Sequence, residues 1–244
     1  MRTTPQPSWF SDPDAAWRRH LRRLRRPAWL APFRTAPASA FWGLDRGTPV
    51  DRYYIERFIA AHREDIRGHV LEMHDSRYTD QFGIGVTARD VLDIDPGNQN
   101  ATIVTDLTAA NAVADDTFDC FVLTQTLQFI YDVRAAARHI ARLLRPGGVL
   151  LLTVPSVSRV APRYGLATDY WRFTTASCLA VFEEAFGKGQ VAVQSYGSVL
   201  AAVAFLAGMA QEELSPAELD AHDPYFPLLI AVRAVKAGGP PERP

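Results

Sequence analysis

The clearest pattern of hydrophobic and polar positions lies in the middle of the chain. Residues 119–123 form a short apolar run, and residues 132–144 carry apolar side chains at helical spacing behind Asp132, which is placed as an N-cap. Pro-Gly-Gly at 146–148 is expected to stop this helix. The uninterrupted apolar run 149–154 is typical of a strand buried on both faces. The pattern therefore predicts a strand, a helix and a parallel strand, which together form a right-handed crossover unit.

Further runs along the chain extend this unit into a larger sheet. Apolar runs predict strands at 69–73, 90–95, 101–104, 191–196 and 228–235. Helical spacing predicts three helices: one that begins at Asp51, one at 176–186 and one at 198–209. Thr174 or Thr175 is placed to cap the helix 176–186. Alternating strands and helices predict an α/β fold with a mostly parallel sheet of seven strands. The last strand is expected to run antiparallel, as a hairpin partner of 191–196.

Length and composition are consistent with one such domain. A chain of 244 residues with 48% hydrophobic content can bury one large core. We expect a basic helix and linker at 1–40, the α/β domain at 41–238 and a disordered tail at 239–244. Two isolated cysteines predict buried thiols in a reducing cytoplasm, and the six histidines show no metal-ligand spacing, so we expect no metal site.

Charge is distributed unevenly although the net charge is only −1. Residues 1–34 hold eight arginines and two aspartates, whereas residues 211–223 hold five acidic residues and no lysine or arginine. A helix at 14–26 with a stripe at Trp17, Leu21 and Leu24 suits either an acidic membrane surface or polyanion, or packing on the domain near the acidic segment. We favour packing on the domain. We do not expect nucleic-acid binding, because the net charge of the chain is close to zero. We do not expect membrane insertion, because the longest apolar run, 199–210, is too short to span a bilayer.

Acidic side chains follow the predicted strands at regular positions. Glu72 and Asp95 are 23 residues apart, which suits a nucleoside-binding βαβ half. A carboxylate at the end of the second strand can accept from two ribose hydroxyls, which favours Asp95, with Asp93 as the second choice. Asp106 follows the third strand and could accept from an adenine amino group. The alternative interpretation is that each aspartate only caps a helix or a turn.

The order of these elements resembles a class I S-adenosylmethionine-dependent methyltransferase. The motifs that carry the resemblance are LLRPGGVLLLTVP (143–155), FDCFVLTQTLQFIYD (118–132), VLEM (70–73) and VLDID (91–95). The resemblance covers roughly 50–240 and implies a Rossmann-like, doubly wound fold with S-adenosylmethionine as cofactor. WGLDRGTPVDRYYIERF and DYWRFT resemble a bacterial subgroup that is associated with glycosyltransferase or natural-product pathways.

Residue by residue, the resemblance implies a cofactor site at the strand ends. Cofactor contacts are expected for the methionine moiety from Glu72, Asp75 and Tyr78, for the ribose from Asp95, for the adenine from Asp106 and Leu107, and for the sulfonium from Thr124 and Gln125. A base for the acceptor is expected from Asp169 or His74, with His222 a distant third candidate. Asp169 could instead pair with Arg172, and His74 could instead bond only to backbone.

The first loop departs from the resembled family, whose loop is normally rich in glycine. Here it reads His74-Asp75-Ser76-Arg77-Tyr78. We therefore keep two hypotheses: O-methylation of a sugar or small natural-product acceptor, and a degenerate fold that acts as a non-catalytic partner or uses the pocket for other chemistry. A nicotinamide-dependent oxidoreductase is disfavoured because no G-x-G-x-x-G follows the first strand. A homodimer is possible if the apolar helix 198–209 is exposed.

Overall fold

A computed structural model describes residues 35–162 and 165–238. The predicted basic helix at 14–26, most of the 1–40 segment and the tail 239–244 lie outside these residues. The domain boundaries at 41 and 238 therefore stay predictions. Among the residues that are described, no helix is both long and apolar enough to cross a membrane.

The described residues contain a seven-stranded sheet with the order β3-β2-β1-β4-β5-β7-β6. Its strands are β1 (Gly68–Met73), β2 (Val86–Asp93), β3 (Ile103–Val104), β4 (Phe118–Thr124), β5 (Leu144–Pro155), β6 (Val191–Tyr196) and β7 (Leu229–Val235). The pairs β1–β2, β1–β4, β2–β3 and β4–β5 are parallel. β7 runs antiparallel to β6, because Leu228 N donates to Tyr196 O and Val235 N donates to Gln190 O. The predicted α/β, Rossmann-like fold is confirmed.

Helices connect the strands much as the periodicity predicted. They are α1 (Val50–Ala61), α2 (Arg77–Phe82), α3 (Val133–Leu143), α4 (Thr175–Phe186), α5 (Val199–Leu206) and α6 (Pro216–Asp220). Asp132 caps α3 as predicted, since its carboxylate accepts from Ala135 N at 2.9 Å. Of the two predicted caps for α4, Thr174 is the one used, in a capping box with Ser177.

Some predicted boundaries were wrong. α3 ends at Leu143, and Pro146-Gly147-Gly148 lies inside β5 rather than between helix and strand. Leu144 is already extended, and Pro146 disfavours helical backbone at Arg145 before it, so the chain leaves the helix before the glycines. β2 ends at Asp93 rather than at residue 95, and the short helix α2, which the sequence did not indicate, lies between β1 and β2.

Most of the sheet belongs to one of two compact units. This unit contains 55–156, 168–195 and the described residues from 230 onward, and its core surrounds β4 and β5. Both cysteines, Cys120 and Cys178, are free and buried in it, as predicted. The other unit contains 35–54, 157–162, 165–167 and 196–229. Within it Arg46 and Glu213 form a buried ion pair.

Candidate functional site

The carboxyl ends of β1, β2, β4 and β5 lie at one edge of the sheet. Parallel pairing sets Met73 opposite Leu92 and Thr124 opposite Thr153, so that the loops after these strands start from neighbouring positions. Ligands of open α/β sheets bind beyond this edge. The site residues expected from the sequence, apart from His222 in the other unit, lie on or near this edge.

Glu72 braces the first loop from inside the protein. Its side chain is buried, and its carboxylate accepts from Tyr78 N at 3.0 Å, from Thr79 N at 2.8 Å and from Thr79 Oγ1 at 2.6 Å. Burial raises the pKa of Glu72 to about 7, although the hydrogen bonds from Thr79 and Tyr78 act in the opposite direction. The structure therefore gives Glu72 a role in holding the first turn of α2 against β1.

His74 has a backbone conformation that glycine adopts most readily. Its φ is +71°, in the left-handed region that a side chain other than glycine adopts at a cost. Its Nδ1 lies 2.9 Å from Asp93 Oδ2, and Asn98 Nδ2 donates to the same oxygen at 2.6 Å and to His74 O at 2.7 Å. The loop after β1 and the turn after β2 are thus tied together by side chains.

The acid at the end of β2 is Asp93, which the sequence placed second to Asp95. Partial burial acts to raise the pKa of Asp93, but the hydrogen bonds that its carboxylate accepts outweigh burial and hold the pKa below its usual value. Asp95 lies two residues beyond the strand, where its Oδ1 accepts from Gly97 N at 2.8 Å and shapes the turn. Of the two carboxylates, only that of Asp93 belongs to a strand.

Four more of the expected cofactor residues lie in the same unit. Asp75 accepts from Arg77 N at 3.0 Å and pairs with the Arg77 guanidinium at 3.2 Å. Tyr78 is buried, with its ring 6.3 Å from that of Phe82. Asp106 caps a 3-10 turn by accepting from Thr108 N at 2.8 Å, and Leu107 is buried in the core. These contacts stabilise the loops, and the binding roles of the four side chains stay predictions.

Polar atoms without a partner collect just after β4 and near the end of β5. Thr124 is the last residue of β4, and Gln125 follows it with a left-handed φ of +47°. Gln125 Nε2, Gln128 Oε1 and Thr153 Oγ1 are buried and have no hydrogen-bond partner within the described chain. Buried polar atoms are nearly always paired in native proteins, so these three make the ends of β4 and β5 a candidate site.

Asp169, one of the two expected bases, is held in an ion pair. Arg172 donates to its two oxygens at 2.6 Å and 3.1 Å, and the Asp169 side chain is only 2% exposed. The alternative that the sequence left open, a pair with Arg172, is therefore present. His74 differs, because its side chain is 52% exposed and contacts Asp93 through Nδ1 rather than through Nε2. His222 is exposed on the other compact unit.

Sequence reasoning missed three of the residues that shape this edge. Asn98 gave no signal beyond its place in a turn. Gln128 and Thr153 were detectable in principle, because each is a polar residue inside an otherwise apolar segment. A threonine in a strand buried on both faces needs a partner for its hydroxyl, and this requirement marks Thr153.

A comparison of sequences with family models identifies the chain. A model described as a methyltransferase domain matches residues 29–185, which is more than half of the chain. The chain belongs to the methyltransferase-domain family. No match was found among curated proteins.

Solved structures agree with this fold at low sequence identity. One similar structure is a chain in the complex between the Haloferax volcanii Trm112 methyltransferase activator and a methyltransferase. It has a TM-score of 0.53 and 17% identity, over 77% of this chain and 91% of that one. Another is an S-adenosylmethionine-dependent methyltransferase from Archaeoglobus fulgidus, with a TM-score of 0.52 and 11% identity, over 76% and 94%. At these identities the comparison supports the fold alone.

Proposed function

We propose that this methyltransferase-domain protein binds S-adenosylmethionine and methylates a small molecule, with the oxygen of a sugar or natural product as the favoured acceptor atom. The observation that carries the proposal is the edge of the sheet. There the strand-end carboxylate of Asp93 on β2 and three unpartnered polar atoms at the ends of β4 and β5 share one edge of the sheet, with β1 between the two groups. Family membership supports the class of reaction, and the resemblance to a glycosyltransferase-associated bacterial subgroup supports the class of acceptor.

The residues present fit the cofactor at its ribose. Asp93 Oδ2 accepts from His74 and Asn98, whereas Oδ1 accepts only from Asp95 N, at 3.0 Å, among the contacts seen. A carboxylate oxygen can accept two hydrogen bonds, so Oδ1 keeps capacity for a ribose hydroxyl. We infer that Asp93 holds the ribose and that Asp95 shapes the turn beside it. Asp106 and Leu107 stay our candidates for the adenine side, and Thr124 and Gln125 for the sulfonium side.

The bound cofactor would supply a methyl group on a positively charged sulfur. The protein then has to align the acceptor and, for a hydroxyl, remove its proton. Asp169 is a poor candidate because both of its carboxylate oxygens accept from Arg172 and its side chain is only 2% exposed. His74 is the better one, because Asp93 contacts Nδ1, and a donated Nδ1–H would leave the lone pair of Nε2 as the proton acceptor.

The proposal can be tested by calorimetric titration with S-adenosylhomocysteine. We expect micromolar binding by the natural chain, a loss of at least tenfold in affinity for Asp93→Ala, and little change for the matched control Asp95→Ala. Equal losses in the two variants would contradict the assignment of the ribose to Asp93. A thermal melt of each variant separates lost binding from lost folding.

The second candidate function is a degenerate methyltransferase fold that acts as a non-catalytic partner or uses the pocket for other chemistry. The observation that favours it is the first loop, where a histidine with φ +71° replaces glycine. No binding of either S-adenosylmethionine or S-adenosylhomocysteine at millimolar concentration would favour this candidate.

Two lesser expectations also remain proposals. The buried, free thiols of Cys120 and Cys178 support a reducing, cytoplasmic location. A stripe on α5 leaves Val199, Val203 and Leu206 about half exposed, which supports a homodimer through this helix. Sedimentation of the natural chain and of Val203→Asp would test the dimer.

A further inference from the structure

The three unpartnered atoms after β4 and β5 belong to one connected group. Gln125 N donates to Thr153 O at 2.8 Å, and Gln128 Nε2 donates to Gln125 O at 2.8 Å. These bonds fix the three residues side by side and leave one amide N–H₂, one amide oxygen and one hydroxyl unpartnered. We call Gln125, Gln128 and Thr153 the polar trio.

The polar trio is costly to a protein that has nothing bound. Gln128 is 6% exposed and Thr153 is fully buried, so exposure to bulk water does little to offset their missing hydrogen bonds. A buried polar atom without a partner destabilises the folded state. The strained φ of Gln125 adds to this cost at the same place. Backbone strain and unpaired polar groups often occur together at binding sites, where contacts with a ligand offset their cost in stability.

An exposed aromatic cluster borders the polar trio. Tyr170 N and Trp171 N both donate to Gln128 O, at 2.9 Å and 3.2 Å, and Trp171 Nε1 donates to Ile130 O at 3.0 Å. The ring of Tyr131 lies 5.3 Å from that of Tyr170 and 6.2 Å from that of Trp171. These three rings are 38–71% exposed, so their surfaces are open to a ligand.

The group as a whole carries no net charge. Every member of the polar trio is neutral, and the aromatic rings are neutral as well. Of the charged residues next to it along the chain, Asp169 and Arg172 form a bidentate pair that compensates itself, and Asp132, which follows Tyr131, is acidic. A donor, an acceptor and a hydroxyl together suit a hydroxyl or amide group of a ligand, and exposed rings suit the flat face of a sugar or an aromatic ring.

We propose that the polar trio and the rings of Tyr131, Tyr170 and Trp171 bind the methyl acceptor, and that this acceptor is an uncharged ring compound bearing hydroxyl groups. The inference rests on the proposed function, which it deepens by naming the acceptor's chemical class and its contacts. A phosphorylated or carboxylated acceptor would bring a negative charge that no side chain of this group neutralises, and Asp132 beside Tyr131 would repel it, so we expect the side chains of the site to disfavour both.

Titration with two probes tests the charge preference. The neutral probe is phenyl β-D-glucopyranoside, and its charged counterpart is phenyl β-D-glucuronide, which differs by a carboxylate. We expect calorimetry on the full chain, with S-adenosylhomocysteine present, to show millimolar or tighter binding of the glucoside and at least tenfold weaker binding of the glucuronide. Trp171→Leu should weaken the glucoside at least tenfold and leave S-adenosylhomocysteine binding unchanged. Equal binding of both probes would overturn the inference.

Thr153→Val tests whether the unpartnered hydroxyl of the polar trio destabilises the protein in the absence of a ligand. Valine has nearly the shape of threonine and removes the unpartnered hydroxyl, so we expect the melting temperature without ligand to rise by about 2–4 °C. Glucoside affinity should fall in the same variant. A lower melting temperature would mean that a buried water already satisfies the hydroxyl, and the inference would then fail.

The two proposals fail in different ways. Binding of S-adenosylhomocysteine without any binding of the glucoside overturns the acceptor site and leaves the proposed function standing. Absence of S-adenosylhomocysteine binding overturns the proposed function itself, and with it the role of acceptor that the inference assigns to the glucoside.

Discussion

The loop after β1 and the edge after β4 and β5 both present polar side chains at the ends of buried strands, but their hydrogen bonds are satisfied in opposite ways. Around the first loop, Glu72 of β1 accepts three hydrogen bonds and Asp93 of β2 accepts three more. At the ends of β4 and β5, the side chains of Gln128 and Thr153 each keep a buried atom without a partner in the described chain.

This difference indicates that the loop after β1 has a structural role and that the ends of β4 and β5 have a binding role. A loop whose carboxylates are already bonded holds its shape without a ligand, and it replaces the flexibility of a glycine-rich loop by a fixed network. An edge with unpartnered buried atoms gains stability when a molecule binds there. The first loop would therefore form a rigid wall of the cofactor site. The ends of β4 and β5 would be the region that gains stability when a ligand binds.

Removing Glu72 should break the first loop and give the largest effect. In Glu72→Ala, the buried N–H groups of Tyr78 and Thr79 lose their acceptor, so we expect the free energy of unfolding to fall by about 3 kcal/mol at pH 7. Urea denaturation measures this loss. The matched control is Glu64→Ala on the exposed surface, which should change stability by less than about 0.5 kcal/mol. A loss below about 1 kcal/mol for Glu72→Ala would show that the brace is unimportant.

The pH dependence of stability should report the same brace. Because burial raises the pKa of Glu72 to about 7 in the folded state, the folded protein holds a proton that the unfolded chain has released above about pH 4.3. The contribution is complete below the unfolded pKa and is lost as pH rises through the folded one. Between pH 5 and pH 7 we expect the natural chain to lose about 2 kcal/mol relative to Glu72→Gln. A constant difference between the two proteins would contradict the raised pKa.

Two substitutions at one position isolate the strain of the first loop. His74→Gly and His74→Ala both remove the imidazole, and they differ only by a Cβ on a backbone with φ +71°. Glycine tolerates this conformation, so we expect His74→Gly to be more stable than His74→Ala by about 1 kcal/mol. Thermal melts compare the two variants directly. Equal stability would mean that the loop relaxes out of the left-handed conformation.

The outer contacts of the first loop should matter least. Arg77 is 56% exposed where it pairs with Asp75, and water screens such pairs. Arg77→Ala should therefore lower the free energy of unfolding by less than about 0.5 kcal/mol in urea denaturation. Arg77→Lys, which keeps the charge, should be indistinguishable from the natural chain. A larger loss would show that the exposed pair shares the work of the buried brace.

Much of the fold could be predicted because buried parallel strands leave a plain signal. The apolar runs of β4 and β5 and the amphipathic α3 between them follow from local periodicity. The caps Asp132 and Thr174 follow from side-chain chemistry within one turn of the helix. Boundaries were less secure, and Pro146-Gly147-Gly148 is the clearest case, because pairing with a neighbouring strand extended β5 over residues that locally favour a turn.

The candidate site was predictable by position and less so by role. Acids after strands pointed to the carboxyl edge of the sheet, where the structure places them, but nothing local distinguishes a carboxylate that faces a ligand from one that braces a loop. Glu72 turned inward to Tyr78 and Thr79, and Asp169 is paired with Arg172, because of where other elements put their donors. The binding roles of these residues stay predictions that the titrations above address.

The sequence by itself determined the class of fold, the order of the strands along the chain, and the edge of the sheet at which the candidate site residues lie. Hydrophobic periodicity and caps are local properties, so they can be read from neighbours in the chain. Only the tertiary structure decided which polar groups were left unpaired, because the partners of Glu72, Asp93 and Gln128 depend on the packing of separate loops and strands. Hydrogen-bond satisfaction is a property of the assembled fold, and it is this property that separates the braced first loop from the open receptor after β4 and β5.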